Sequence, residues 1–349
     1  MIDLRSDTLS MPTEEMLRAI HTAPLGDDSR DGDPTVLELE ALAAEMLGKE
    51  AGLLTVSGTM SNLVAMRTHA QPGAAAVVEE SAHLYGMELG GIAATCSLLV
   101  LPVAGVRGAM DLDGLGTACR RSRSGFPARG ILCLENTHNA AGGAVVPTAH
   151  IDQCAWIARE EGLATHLDGA RIFNAAVALG VNVRKLTQSV DSVSFCLSKG
   201  LSAPVGSVLV GSREFIERAR RIRRALGGTM RQAGIIAAPG LVALRTMVAR
   251  LADDHANARR LGEALARVEG LQVDLATVQS NMVNVDVAAL GIDAVTFASR
   301  LEAAGVRGLP GIGTVIRFVT YRGITPEHIE QAIAAVGQVV AAGFAGATV

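Results

Sequence analysis

Only three of the 31 basic residues in this chain are lysines, Lys49, Lys185 and Lys199; the other 28 are arginines. A primary amine condenses with an aldehyde and a guanidinium does not, so a lysine kept in such a background is a candidate nucleophile. Lys49 and Lys185 sit in polar stretches expected to be solvated, whereas Lys199 follows the apolar run 193–197 and precedes Gly200. From spacing alone it reads equally as a surface lysine at the end of a strand. Asp168, in Asp168-Gly169-Ala170-Arg171, follows a second apolar run ending His166-Leu167; standing alone it would cap a helix. Ser57-Gly58-Thr59 opens a helical stretch, and the N–H groups and dipole of such a start suit a phosphate. Pyridoxal phosphate has an aldehyde, a ring nitrogen and a phosphate, and asks for these three things together: an amine, a carboxylate and an anion cup. The carboxylate keeps the ring nitrogen protonated through a charge-assisted hydrogen bond, so that the ring accepts electrons from a carbanion.

The elements that must position these groups alternate. A helix is expected over 34–47, with Asp33 as cap and proline at its first position, and another from 57 to 69. Apolar, β-rich runs follow at 75–78, 98–103, 131–134, 163–167, 193–197 and 207–210, with helical stretches such as 151–161 between most of them. Continuous apolar strands point to a mostly parallel sheet buried on both faces, hence an α/β fold with the site at the carboxyl ends of the strands. Only a loop joins the last two runs, so one strand is expected to run antiparallel. A long helical stretch from 231 to about 268, with a break near Asp253, leads to a smaller α+β unit: β at 271–274 and 282–287, helix at 294–304, β at 315–320 and a helix from Pro326. The expected division is an N-terminal segment 1–14 contributing to the site, a large α/β domain 15–245 and a small C-terminal domain 246–349.

Composition narrows the class. At 349 residues, 49% hydrophobic and 19% charged, the chain suits a globular enzyme and not a disordered one. A net charge of −4 gives no field for nucleic acid or an anionic membrane. The arginines of 218–224 recur at helical spacing and read as a solvated or subunit-facing helix. Five scattered cysteines without a C-x-x-C pair argue for a reducing compartment and against a disulfide framework or zinc site, and no metal is expected. Neither a signal peptide nor a membrane-length apolar run is visible, so a cytoplasmic protein is expected.

Five motifs in order, Leu4-Arg5-Ser6-Asp7-Thr8, Glu135-Asn136-Thr137-His138-Asn139, His166-Leu167-Asp168-Gly169-Ala170-Arg171, Cys196-Leu197-Ser198-Lys199-Gly200-Leu201 and Gly228-Thr229-Met230-Arg231-Gln232-Ala233-Gly234, resemble the L-threonine aldolases. These are pyridoxal-phosphate lyases of fold type I, the aspartate-aminotransferase-like fold. The resemblance implies a Schiff base on Lys199, Asp168 at the pyridine nitrogen, and Arg171 near the cofactor's phenolic oxygen and the substrate carboxylate. Gly58 and Thr59 would hold the phosphate, with Arg231 reaching in from a neighbouring subunit. His83 would stack on the ring, and Ser6 and Arg317 would clamp the substrate carboxylate. The implied reaction is reversible cleavage of a β-hydroxy-α-amino acid, such as L-threonine or L-allo-threonine, to glycine and an aldehyde, in a homotetramer with sites between subunits. β-Elimination on the same scaffold, or a phenylserine-type preference, are the alternatives. The base for the β-hydroxyl is open among His83, an ordered water and, more distantly, His138. Relatives commonly carry tyrosine at Arg30 and often histidine at Gly125, which leaves the β-substituent preference open; Gly125 is expected to widen the site.

Overall fold

The computed structural model describes residues 1–343. Seven strands form the central sheet: β1 (Ala51–Thr55), β2 (Ala75–Glu79), β3 (Leu99–Val103), β4 (Ile131–Glu135), β5 (Ala164–Asp168), β6 (Ser192–Cys196) and β7 (Ser207–Gly211). Their order is β1-β7-β6-β5-β4-β2-β3. Pairs among β2 to β6 are parallel, and β7 is antiparallel to both β6 and β1. No helix lies between β6 and β7, and a parallel crossover needs about a dozen residues or more, so this connection reverses the chain. Neighbouring strand residues enter different cores: Leu54, Val77 and Leu132 pack on one face, Leu53, Val78 and Ile131 on the other. Burial on both sides is why the inner strands read as unbroken apolar runs; edge strand β3 exposes Leu99 and Pro102.

β1 carries no clear strand signal, because Gly52 argues against a strand interior. The glycine answers to packing: a Cβ there would meet the Glu40 carbonyl oxygen at 2.5 Å. Glu40 lies on the helix Pro34–Leu47, which starts where the Asp33 carboxylate accepts the Thr35 and Val36 N–H groups and ends at Gly48, φ 67°. Ser57 likewise caps Gly58–His69 by accepting the Met60 N–H. The basic helix Arg213–Ala225 is less solvated than expected: Arg220 pairs with buried Glu40, and buried Arg223 pairs at 2.7 Å with Asp28, whose side chain is enclosed. Lys49 is also half-buried, its Nζ donating to the Val190 carbonyl at 2.5 Å.

Gly234–Val242 continues through a π turn at Ala243–Met247, and Leu251–Leu265 follows, so the break falls at 248–250, ahead of Asp253. The second unit holds β8 (Met282–Asp286), β9 (Leu309–Pro310) and β10 (Val315–Val319), antiparallel in the order β8-β10-β9. Ala294–Ala303 and Pro326–Ala341 contribute to its core. The strand expected at 271–274 reduces to one bridge, Gln272 to Asp286. Ile2 and Leu4 are buried in this second core, and Ile2–Asp3 pairs in parallel with Val306–Arg307. Among the described residues no single helix is long and apolar enough to cross a membrane.

Candidate active site

Glu79, Glu135, Asp168 and Cys196 are the last residues of β2, β4, β5 and β6. Parallel strands therefore deliver three acids to one edge of the sheet, where open α/β folds bind ligands. At that edge Gly58, Thr59, His83, Asp168 and Lys199 line one cavity of about 240 Å³, together with Asn62 and Glu88. Three groups far apart in sequence, the amine, the acid and the helix start, meet there.

Asp168 is buried, and its oxygens are held by the Asn62 amide at 2.9 Å and the Ala170 N–H at 3.1 Å. Burial, with Glu135 and Glu88 nearby, pushes its carboxyl up to about 6, against the pull of Lys199 and His83. Such a carboxylate gains from a cation placed beside it, and a protonated pyridine is a cation of that kind. Lys199 is half-buried, and its backbone carbonyl accepts from the Ser10 hydroxyl at 2.7 Å. Gly58 sits close to β6: a Cβ there would meet Cys196 Sγ at 2.9 Å. The first N–H groups of the Gly58–His69 helix face outward from its start without intrahelical partners. The residues present thus fit the aldehyde, the ring nitrogen and the phosphate of pyridoxal phosphate.

His83 is half-buried and starts a short helical turn, His83–Gly86. Its backbone N–H donates to Glu135 at 2.6 Å, and its Nδ1 meets Glu88 Oε1 at 3.0 Å. The Glu88 hydrogen bond raises the imidazole above its ordinary value, burial opposing it. His138 is fully enclosed: Nδ1 accepts the Ala141 N–H at 3.3 Å and Nε2 contacts Glu79 at 3.1 Å. With both nitrogens engaged and no exposure, His138 holds the loop after β4 and has no nitrogen left to act as a base.

A second cluster adjoins the first. Asp7, completely buried, takes Arg171 Nε and Nη2 in a bidentate pair, both at 2.7 Å. Burial would raise the Asp7 carboxyl, but Arg171 and then Lys199 hold it below its usual value. Arg171 Nη1 reaches Asn139 Oδ1 at 3.5 Å, and Arg317 Nη1 reaches the same oxygen at 3.0 Å. Burial, and then the Arg171 charge, depress Arg317; its Nε has no partner. Two guanidiniums sharing one amide oxygen, one of them already neutralised by Asp7, suit a single added carboxylate. Ser6 caps the turn Asp7–Leu9, its Oγ accepting the Thr8 N–H at 3.2 Å.

Arg231 is not brought to this cavity within its own chain. Its side chain is 66% exposed and bonds Ser29 Oγ near Asp27. Arg30, 79% exposed, stands on the same loop. Gly125 ends the helix Leu112–Gly125 that leads into the start of β4, the opposite edge of the sheet from the cavity. It therefore does not widen the site of its own chain. The functional residues that motif reading passed over are Asn62, Glu88, Glu135, Asp7 and Asn139. Asp7, Glu135 and Asn139 lie inside quoted motifs; Asn62, one helical turn beyond Gly58, had only its spacing as a signal, and Glu88 had none.

The sequence profile of the beta-eliminating lyase family matches residues 3–288. The chain is 41% identical over 335 residues to the low specificity L-threonine aldolase of Escherichia coli K12, covering 96% of this chain and 98% of that one. It is 39% identical over 333 residues to low-specificity L-threonine aldolase 1 of Arabidopsis thaliana, covering 94% and 93%. Among solved structures, the threonine aldolase of Leishmania major superposes with a TM-score of 0.83 at 16% identity, covering 97% of this chain and all of that one. A serine palmitoyltransferase of Sphingomonas wittichii shares the fold with a TM-score of 0.79 at 17% identity, covering 98% and 87%.

Proposed function

Because this chain belongs to the L-threonine aldolase family, we propose that it cleaves L-threonine, L-allo-threonine and related β-hydroxy-α-amino acids reversibly to glycine and an aldehyde, with pyridoxal 5′-phosphate as cofactor. The observation that carries this reading is the meeting of Lys199, Asp168, His83 and the Gly58–Thr59 helix start in one cavity. Lys199 Nζ would be the covalent anchor through a Schiff base. Asp168 would meet the ring nitrogen, His83 would lie against the ring, and the N–H groups of Gly58 and Thr59 would take the phosphate, with Arg231 of a neighbouring subunit. Bound there, the cofactor supplies a conjugated cationic ring that stabilises the negative charge left on Cα when the Cα–Cβ bond breaks.

The chain's own residues do the rest. Asp168 keeps its acceptor ionised and in place through Asn62 and Ala170, which holds a proton on the ring nitrogen. Arg317 and Arg171, steadied by Asn139, bind the substrate carboxylate, with Ser6 as the second point of a clamp. Two-point binding fixes which bond at Cα is presented for cleavage and keeps the carboxylate out of that position. His83 Nε2, left free by the Nδ1–Glu88 bond, takes the β-hydroxyl proton directly or through an ordered water. Incubation of the purified protein with pyridoxal 5′-phosphate and threonine, allo-threonine or phenylserine should release glycine and the matching aldehyde. Ammonia and a 2-oxo acid instead would mark β-elimination, and a colourless protein with no absorbance from bound cofactor would overturn the cofactor assignment.

We further propose a cytoplasmic homotetramer, a dimer of dimers with its sites at subunit interfaces. Arg231 and Arg30 stand exposed outside their own cavity, and Met87 and Leu89, 61% and 99% exposed, flank the turn that carries His83. Five buried free cysteines suit a reducing compartment. Light scattering on the eluted protein tests the assembly.

A further inference from the structure

A line of buried polar side chains leaves Asp168 and runs between the helix Gly58–His69 and strands β5 and β6 to the far end of that helix. Asn62 Nδ2 donates to Asp168 Oδ2 and to Glu88 Oε1, both at 2.9 Å. Asn62 Oδ1 accepts the Ser194 hydroxyl at 2.8 Å and meets His166 Nε2 at 3.1 Å. On its other side His166 Nδ1 contacts Ser192 Oγ at 2.9 Å, and Ser192 Oγ contacts His69 Nε2 at 2.8 Å. His69 stacks on Phe215 with ring centroids 4.3 Å apart. It borders a separate cavity of about 410 Å³ that also holds Arg159, Asp191 and Arg218.

The chain has one direction. Asn62 must point its amide hydrogens at two carboxylates, so its oxygen is an acceptor and His166 Nε2 must carry the proton. His166 Nδ1 is then an acceptor and takes the Ser192 O–H. Ser192 Oγ in turn accepts from His69 Nε2–H. His166 must be neutral for its Nδ1 to accept, and burial supplies this, lowering it to about 3; His69, which only donates, is lowered to about 4 by burial against the pull of Asp191. Every donor points toward Asp168.

We propose that Ser192 and His166 are positioning residues for the proposed cofactor's ring-nitrogen contact: by fixing the tautomer of His166 they fix the Asn62 amide, and through it an ionised Asp168. Neither residue lines the cavity. The inference rests on the pyridoxal-phosphate reading above. The groups that bear on Asp168 from its other sides are Glu135, Glu88, Lys199 and His83; His69 bears on His166, and Asp191 and Arg218 on His69.

The test compares binding of pyridoxal 5′-phosphate with binding of its 1-deaza analogue, in which carbon replaces the ring nitrogen and no contact to Asp168 is possible. In Ser192→Ala, His166 Nδ1 loses its donor and the ring is free to place its proton on Nδ1, turning a lone pair toward Asn62 Oδ1. Leaving one buried partner unmet corresponds to about a tenfold loss. The preference for pyridoxal 5′-phosphate over the analogue should fall about tenfold in Ser192→Ala. Ser192→Thr, which keeps the hydroxyl, should retain it. His69→Phe, which keeps the stack on Phe215, should lower it by a smaller factor and serves if Ser192→Ala does not fold. An unchanged preference in Ser192→Ala, or equal losses for both ligands, overturns the relay. A native protein that binds neither ligand overturns the cofactor assignment instead.

Discussion

Asp7→Asn isolates the best-buried ion pair in the site. The change is nearly isosteric, keeps a hydrogen-bonding oxygen, and removes the negative charge that Arg171 meets through two 2.7 Å bonds. Both side chains are almost completely enclosed, 0% and 5% exposed, so solvent cannot take over the pairing. Breaking a buried pair from one side costs about 3–5 kcal/mol, because the remaining charge stays uncompensated. Arg317 close by adds repulsion. At about 2.1 cal/mol/K per residue, a chain of 349 residues has an unfolding entropy of roughly 0.7 kcal/mol/K. The variant should therefore melt about 4–7 °C below the native protein at pH 7 in a thermal scan. The sign of the pH dependence follows from the direction of the Asp7 shift. Its folded-state value lies below the ordinary carboxyl value of 3.8, so the stabilisation is full above that value and is lost as pH falls through the lower one. The gap between the two proteins should stay constant from pH 7 to about 5 and narrow below about 4. Melting points that agree within about a degree at pH 7, where the full 3–5 kcal/mol should show, would refute the pair as a structural anchor.

Lys199→Ala should abolish turnover and the absorbance of a Schiff base with the cofactor while leaving the far-ultraviolet circular dichroism unchanged. Glu88→Gln removes the largest cause of the upward shift of His83. If the neutral imidazole is the base, the acid limb of the kcat/KM profile should move to lower pH, and an unmoved limb would assign the proton to another group. Arg317→Gln should raise KM for threonine by roughly 10- to 100-fold, as expected when one charge-assisted bond to a carboxylate is lost, with little change in melting point.

Most strands legible as apolar runs are buried on both faces, where patterning has one meaning; β3, at the sheet edge, is apolar throughout although Leu99 and Pro102 are exposed. β1 escaped because Gly52 answers to the close approach of the Glu40 carbonyl and not to strand propensity. The segment 271–274 looked like a strand but makes a single bridge, since only Gln272 meets Asp286. Lys199 and Asp168 were legible because reactive residue types stood at the ends of apolar runs. Asn62 and Glu88 were not, because a buried amide or acid in the middle of a helix or turn looks like any solvated one until its partner, 26 residues away in the Asn62–Glu88 bond, is placed beside it. Gly125 illustrates the converse. A motif comparison marks it as a site position, but the Leu112–Gly125 helix carries it to the far edge of the sheet.

The segment 2–10 is stitched to both units at once. Ile2 and Leu4 bond residues 305, 307 and 319 of the second unit, Asp7 holds Arg171 of the first, and Ser10 caps the Lys199 carbonyl. During translation this segment emerges long before its partners: at about 5–20 residues per second, the roughly 315 residues separating Leu4 from Val319 take on the order of 15–60 s to make. The backbone bonds of Ile2 and Leu4 thus cannot close until residues 305–319 have been made. Nascent chains arrested between residues 211 and 305 would carry the large sheet and its lysine, but without the backbone partners that Ile2 and Leu4 meet at residues 305, 307 and 319.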